Sequence, residues 1–318
     1  MIQYLVILLD DTSTSFCHYG IRKTEQRLIP LETLKAGILF AMKENLNIQF
    51  VYPAYPLPEE YIETIESIDH VKIKPCSCAE SGDVIVFNGI NEMKDFTSFV
   101  QGTSYVLRVD RQSLFAQVAD FLPILYKVDR VNVAITDIAS FTDDDFKTYA
   151  TVLQSLADEV EKVYVAGKAV QVNLLTDRMM LDKMNNCGAG DTSITLAPDG
   201  KFYVCPAFYT EEEDGHAIGD LANGLDVKNP QLYRLDHAPL CRNCDAYQCK
   251  RCIWLNRKTT CEVNTPSHEQ CVVAHLERNA SRSLLQAIRR HGEFLPEMEE
   301  IKEIDYLDPF DVKDKWQN

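Results

Sequence analysis

Through the first 177 residues, short apolar runs alternate with longer stretches where apolar positions recur every three to four residues. The runs YLVILL (4–9), NIQFVY (47–52), HVKIK (70–74), DVIVFN (83–88), SYVLRV (104–109), RVNVAI (130–135) and AVQVNLL (169–175) predict strands. Between them, PLETLKAGILFAMKEN (30–45), PEEYIETIESI (58–68) and DDDFKTYATVLQSLADEVEKV (143–163) have the spacing of amphipathic helices. SLFAQVADFLPILYKV (113–128) predicts a further helix. Strands that alternate with helices imply an α/β fold with a mostly parallel sheet, open or curled into a partial (β/α) barrel.

The chain has 318 residues, 46% of them hydrophobic, enough for one large domain or two. Its formal charge, 32 − 48 = −16, argues against a general binder of nucleic acid or anionic membranes. The opening MIQYLVILLD carries no basic leader and is far too short to span a bilayer, so it reads as a buried strand. The expected location is cytoplasmic, where disulfides are rare, and eleven cysteines then point to metal or redox chemistry. Only Cys17, Cys76 and Cys78 precede residue 187, whereas the other eight fall within 85 positions. That shift in composition predicts a β/α domain over 1–180, a small cysteine-rich α+β domain over 181–292 and an acidic tail over 293–318.

Chemistry in β/α folds sits on loops at the carboxyl ends of strands. The loop after the first strand, DDTSTSFCHYG (10–20), pairs Cys17 with His18, but neighbours on an extended segment point opposite ways and no third group orients the histidine. An ordinary loop cysteine is the simpler reading, as it is for the C-x-C pair Cys76 and Cys78. Neither a P-loop nor G-x-G-x-x-G occurs.

The second half is richer. SITLA and KFYVC flank the turn formers PDG, so residues 193–205 predict a β-hairpin with Gly200 at a positive φ. Cys187 and Cys205 bracket it. Then come Cys241, Cys244, Cys249 and Cys252 in the spacing C-x2-C-x4-C-x2-C, followed by Cys261 and Cys271. Zinc sites built from two C-x2-C knuckles usually separate them by about fifteen residues, so that four sulfurs reach one ion at ~2.3 Å. Only four residues intervene here, a density that suits iron–sulfur clusters, whose ligand runs are short and can be split between two clusters. Eight cysteines match two four-ligand sites, with zinc the alternative. Residues 241–292 hold nine Lys/Arg against four Asp/Glu, which favours anionic clusters, although a solvated basic face explains the same count. His216, His237, His268 and His275 are read as surface or helix residues, since cysteines suffice.

The spacing Cys187-x12-Gly200-x4-Cys205, the gap, the four clustered cysteines and a last one resemble the SPASM domain, the iron–sulfur extension of many radical SAM enzymes that modify peptides. ITLAPDGKFYVCP and AIGDL (217–221) add to the likeness, which covers about 185–275. The inner spacings x4 and x2 depart from the family's x5 and x3, and Cys261 is extra. The resemblance implies two [4Fe–4S] clusters, one held by Cys187, Cys205 and Cys252 with Cys261 as fourth ligand, the other by Cys241, Cys244, Cys249 and Cys271. A radical SAM enzyme also carries C-x3-C-x2-C after its first strand; here Ser13, Cys17 and Gly20 hold those places, and Pro53, Ala54, Tyr55 and Pro56 stand where the family has Gly-Gly-Glu-Pro. The N-terminal half therefore resembles a degenerate radical SAM domain, for which no S-adenosylmethionine is expected and no catalytic residue is assigned.

As a whole the chain is similar to the CXXX repeat peptide maturases. The resemblance implies an accessory iron–sulfur protein in maturation of a ribosomally made peptide (a RiPP), with a cysteine-repeat precursor peptide and a radical SAM maturation enzyme as partners. Its clusters would relay electrons to or from the partner enzyme, an iron left open if the first cluster lacks a fourth protein ligand would take a precursor thiolate, and the hairpin edge at 193–205 would pair with an extended peptide. The rivals are a zinc-stabilised peptide-binding module without redox activity, and a stand-alone enzyme working through loops 10–20 or 53–58. SHEQCVVAHLERNASRSLLQAIRRHG (267–292) predicts an amphipathic helix, and Phe294, Tyr306, Phe310 and Trp316 predict a tail that packs back.

Overall fold

A computed structural model describes residues 2–21, 23–184, 186–211 and 216–301. The first half runs β1 (Tyr4–Leu8), α1 (Leu31–Glu44), β2 (Asn47–Val51), α2 (Glu59–Glu66), β3 (His70–Pro75), β4 (Val84–Phe87), α3 (Ile90–Asp95), β5 (Ser104–Val109), α4 (Arg111–Phe121), β6 (Arg130–Ile135), α5 (Asp143–Val165) and β7 (Gln171–Val172). Then follow α6 (Asp177–Met180), β8 (Ser193–Leu196), β9 (Lys201–Tyr203), α7 (Ala207–Thr210), β10 (Ala217–Asp220), β11 (Gly224–Leu225), α8 (Ile253–Thr260) and α9 (His268–Arg289). The strands form one sheet in the order β11-β10-β9-β8-β1-β2-β3-β4-β5-β6-β7. It is an open α/β sheet, not a closed barrel.

Pairing is parallel from β8 through β7 and antiparallel from β8 to β11. Parallel sheets are covered on both faces, which is why β1 is an unbroken apolar run with Leu5, Ile7 and Leu8 essentially inaccessible to water. α1 lies so close to the sheet that a Cβ on Gly37 would come within 2.4 Å of Leu196. β8, in the cysteine-rich half, pairs with β1 from Tyr4–Ser193 to Ile7–Leu196, so sheet and core both cross residue 180.

Most elements begin and end within two residues of the expected places, and their caps explain why. Asp110 accepts from the Ser113 N–H at 2.9 Å, and Thr142 forms a capping box with Asp145. Two elements differ from expectation. The helix expected over 113–128 starts at Arg111, ends at Phe121 and continues as a tight 3-10 turn, Leu122–Tyr126, because Pro123 supplies no N–H to an α-helical interior. The last strand expected over 169–175 shrinks to Gln171–Val172, as the Asn173 side chain takes over pairing with the Val133 N–H and C=O and Val172 O accepts from Thr176 N.

The hairpin forms as expected, with Gly200 at φ +79°. Each of its strands is already paired, however, β8 with β1 and β9 with β10, so it offers no free edge and the docking role expected of 193–205 is ruled out. The described start of the tail packs back: the Phe294 ring meets Tyr164 of α5 edge-on at 4.9 Å between centroids. Tyr306, Phe310 and Trp316 lie outside the described residues. Among the described residues, no helix is long and apolar enough to cross a membrane.

α9 packs along α5 and buries Glu277, which accepts a hydrogen bond from the Tyr149 hydroxyl at 2.8 Å. Burial pushes this carboxyl up to about 7, against the pull of its hydrogen bonds from Tyr149 and Gln248. An acid raised in the folded state holds a proton that the unfolded chain has released, so stability falls as pH climbs from about 4.5 to 7, by about 3 kcal/mol in all. Glu277→Gln, which keeps the acceptor and removes the charge, should raise the urea midpoint at pH 8, with the gain narrowing towards pH 5. Independently, Gly190 sits at φ +77° with the Tyr233 ring 2.6 Å from where a Cβ would be. Gly190→Ala should lower unfolding free energy by about 2–4 kcal/mol in the same titration.

Candidate metal centre

Four thiols from separate parts of the chain come close enough to interact. Cys17 lies in the loop after β1, Cys187 precedes β8, Cys205 follows β9 and Cys252 caps α8. The loop is held in place from two directions. Arg108 of β5 donates to the carbonyls of Cys17 at 2.9 Å and Tyr19 at 2.6 Å. Asp11 is bound by Arg27 at 2.9 Å and by the Tyr209 hydroxyl, while the Gly20 N–H donates to Glu211, so the loop is latched to the segment following Cys205. The Cys187 N–H donates to Lys250 O at 3.2 Å, drawing that cysteine to the start of the Cys252 turn.

The thiols feel one another. Cys17 interacts with Cys187 and Cys252, and Cys205 with Cys252, Cys187 and Cys17. Burial comes first among the causes that raise them, with Cys252 pushed up to about 12 and Cys17, Cys187 and Cys205 also raised. Cys187 is exposed as a residue, yet protein surrounds its thiol densely enough for burial to dominate. The cations Arg108, Lys250 and Arg251 oppose these rises. Without a metal the four are therefore protonated, and loading a metal would release those protons.

A second group lies across the turn. Cys241, Cys244, Cys249 and Cys271 line a cavity of about 40 Å³ together with Arg251 and His275. Cys249 interacts with Cys241 and Cys244, and burial pushes it up to about 12 and Cys241 up to about 11. Each C-x2-C knuckle aims a backbone N–H at its first or second sulfur: Ala246 N to Cys244 Sγ at 3.5 Å and Arg251 N to Cys249 Sγ at 3.4 Å. Such donors favour the thiolate. The ring of His275 lies 3.5 Å from Cys244 Sγ.

Arg251 stands between the groups. It is 2% exposed, interacts with both Cys187 and Cys241, and donates through Nη2 to Tyr233 O. Its Nε and Nη1 have no partner among the described residues. A guanidinium buried with donors unanswered is costly unless an anion lies against it. No three His, Cys, Asp or Glu side chains among the described residues converge tightly enough for one metal ion. A single tetrahedral ion needs its sulfurs about 3.8 Å apart, whereas a cluster has separated corners. The orphaned cation beside two groups of thiols fits an anionic thiolate-bound centre.

The remaining candidates fall elsewhere. Cys261 is exposed at the C-cap of α8 with φ +62°. Cys76 and Cys78 sit in a 3-10 turn after β3, where Cys76 Sγ lies 3.3 Å from Glu92. His18 directs Nδ1 at Ile135 O at 2.8 Å, and burial lowers its pKa, which leaves it neutral. Beside it a pocket of about 480 Å³ opens over the ends of β4, β5 and β6, lined by His18, Asn88, Arg108, Glu211 and Lys258 among others. In the 53–58 loop, Tyr55 donates to Asp10 at 2.7 Å. Sequence reasoning missed two features, the approach of Cys17 to the other thiols and the burial of Arg251. Position at the end of the first strand hinted at the former; nothing in the sequence separated Arg251 from its basic neighbours.

No protein-family model and no curated protein matches the sequence. Among solved structures, the chain is similar to anSMEcpe with bound AdoMet and the Cp18Cys peptide, at TM-score 0.61 and 12% identity over 91% of this chain and 100% of that one. A second anSMEcpe structure with bound AdoMet gives 0.60 and 11% over 90% and 99%. SuiB of Streptococcus suis bound to S-adenosylmethionine gives 0.46 and 13% over 85% and 75%. What the anSMEcpe likeness establishes is the fold, an open α/β sheet similar to that of radical SAM maturases.

Proposed function

We propose that this chain is an iron–sulfur accessory protein in the maturation of a ribosomally made cysteine-repeat peptide, binding the precursor and exchanging electrons with a partner radical SAM enzyme. The observation that carries the reading is Arg251, a buried cation with unanswered donors between two groups of thiols. Thiolate-bound clusters supply one-electron chemistry at a potential set by nearby charge and hydrogen bonds. In this chain Arg251 and Lys250 hold positive charge beside the sulfurs, the Ala246 and Arg251 N–H groups fix two of them, and the flanking apolar residues keep water away.

The loop after β1 is poorly suited to the cluster that cleaves S-adenosylmethionine. The Ser13 hydroxyl is buried, accepting from Asp10 N and donating to Val51 O, each at 2.9 Å. That step is assigned to the partner. The precursor is assigned to the 480 Å³ pocket, which lies at the strand ends where open α/β sheets bind ligands. The peptide carried by anSMEcpe supports a peptide ligand on this fold.

Full-length protein purified without oxygen should hold about eight irons with matching sulfide, and absorb in the visible. Zinc without sulfide would overturn the redox reading and leave a zinc-stabilised peptide-binding module. Arg251→Met should raise the thermal midpoint of the metal-free chain, because it removes an uncompensated buried charge. In the loaded protein it should lower the reduction potential, because a positive charge favours the more negative reduced cluster. A variant that changes neither quantity would dissociate Arg251 from the site.

A further inference from the structure

Resting on the metal reading above, we infer that Cys17 is the fourth ligand of the group formed by Cys187, Cys205 and Cys252, in place of Cys261. The backbone makes the case. The loop carrying Cys17 is latched to the segment beyond Cys205 through Asp11–Tyr209, Arg27–Tyr209 and Gly20–Glu211. Cys187 is tied to the approach to Cys252 by its bond to Lys250 O. The thiols of Cys17, Cys205 and Cys252 interact mutually, with Cys187 as the common neighbour. Cys261 instead stands exposed after α8, in the left-handed conformation that ends the helix.

The consequence is chemical. On loading, each of the four thiols gives up a proton to solvent and binds through its thiolate. With four protein sulfurs the cluster has no open position, so a precursor cysteine has no iron to bind there. The site then stores or relays electrons. The adjoining pocket, which shares the Cys17 loop through His18 and Gly20, is left to hold peptide, so the loop joins the two functions.

The test is iron and sulfide per chain in full-length protein for Cys17→Ala and Cys261→Ala, with the reduced proteins examined by electron paramagnetic resonance. Cys17→Ala should lose roughly half of the wild-type iron, the share of one of two clusters. Cys261→Ala should match wild type. Cys17→Ser, which keeps the loop's size and offers an oxygen ligand, should retain more metal but change the resonance of one cluster only; this readout stands if the alanine variant does not fold. Wild-type iron and spectrum in both Cys17 variants would overturn the assignment, as would loss confined to Cys261→Ala. If wild type proves to bind zinc, the iron–sulfur reading fails while the ligand assignment is judged from zinc lost by the same variants. A wild type without metal overturns both.

Discussion

Strand β8 enters the sheet in parallel beside β1, and the register from Tyr4–Ser193 to Ile7–Leu196 governs where everything around it can lie. A parallel pair places both carboxyl ends on the same edge. The loop leaving β1, which carries Cys17, and the turn leaving β8 therefore emerge on the same side, and antiparallel β9 then carries the chain back from that turn to Cys205. Had the cysteine-rich half formed a sheet of its own, the loop after β1 would face solvent and its cysteine would have no partners. The close seat of α1 over this pair, where Gly37 leaves no room for a Cβ, keeps the two strands and their shared edge from separating.

Electrostatics then shapes the site. A chain of net charge −16 concentrates cations where sulfurs are densest, and the most buried of them, Arg251, has two donor nitrogens without a partner among the described residues. Burial keeps the thiols protonated and leaves the guanidinium unanswered, and on the proposed reading thiolates formed on loading would supply the anion that Arg251 lacks.

How much of this was legible in sequence follows from which features are local. Seven parallel strands, the hairpin turn at Gly200 and the long helices α5 and α9 leave periodic or turn signals, so their places were readable. Pro123 ends α4 by a local rule that an apolar count alone overrides, and the truncation of β7 depends on an Asn173 side chain that mimics backbone. The cysteine count and the grouping of Cys241, Cys244, Cys249 and Cys271 along one cavity are near in sequence. The approach of Cys17 to Cys187 spans 170 residues and depends on strand order, which spacing does not encode.

The compressed run C-x2-C-x4-C-x2-C has a geometric reason. Cys249 interacts with Cys241 and Cys244, while Cys252, three residues on, interacts with Cys187 and Cys205. Between them Arg251 adopts φ +43°, a left-handed turn that redirects the chain so that the two thiols of one knuckle serve different groups. A knuckle divided in this way cannot close on a single ion, which is why its spacing departs from the separation that zinc sites need. It also fixes the two groups to the same few residues of backbone, with the shared arginine between them. A change of charge at either group is then felt through Arg251 at the other.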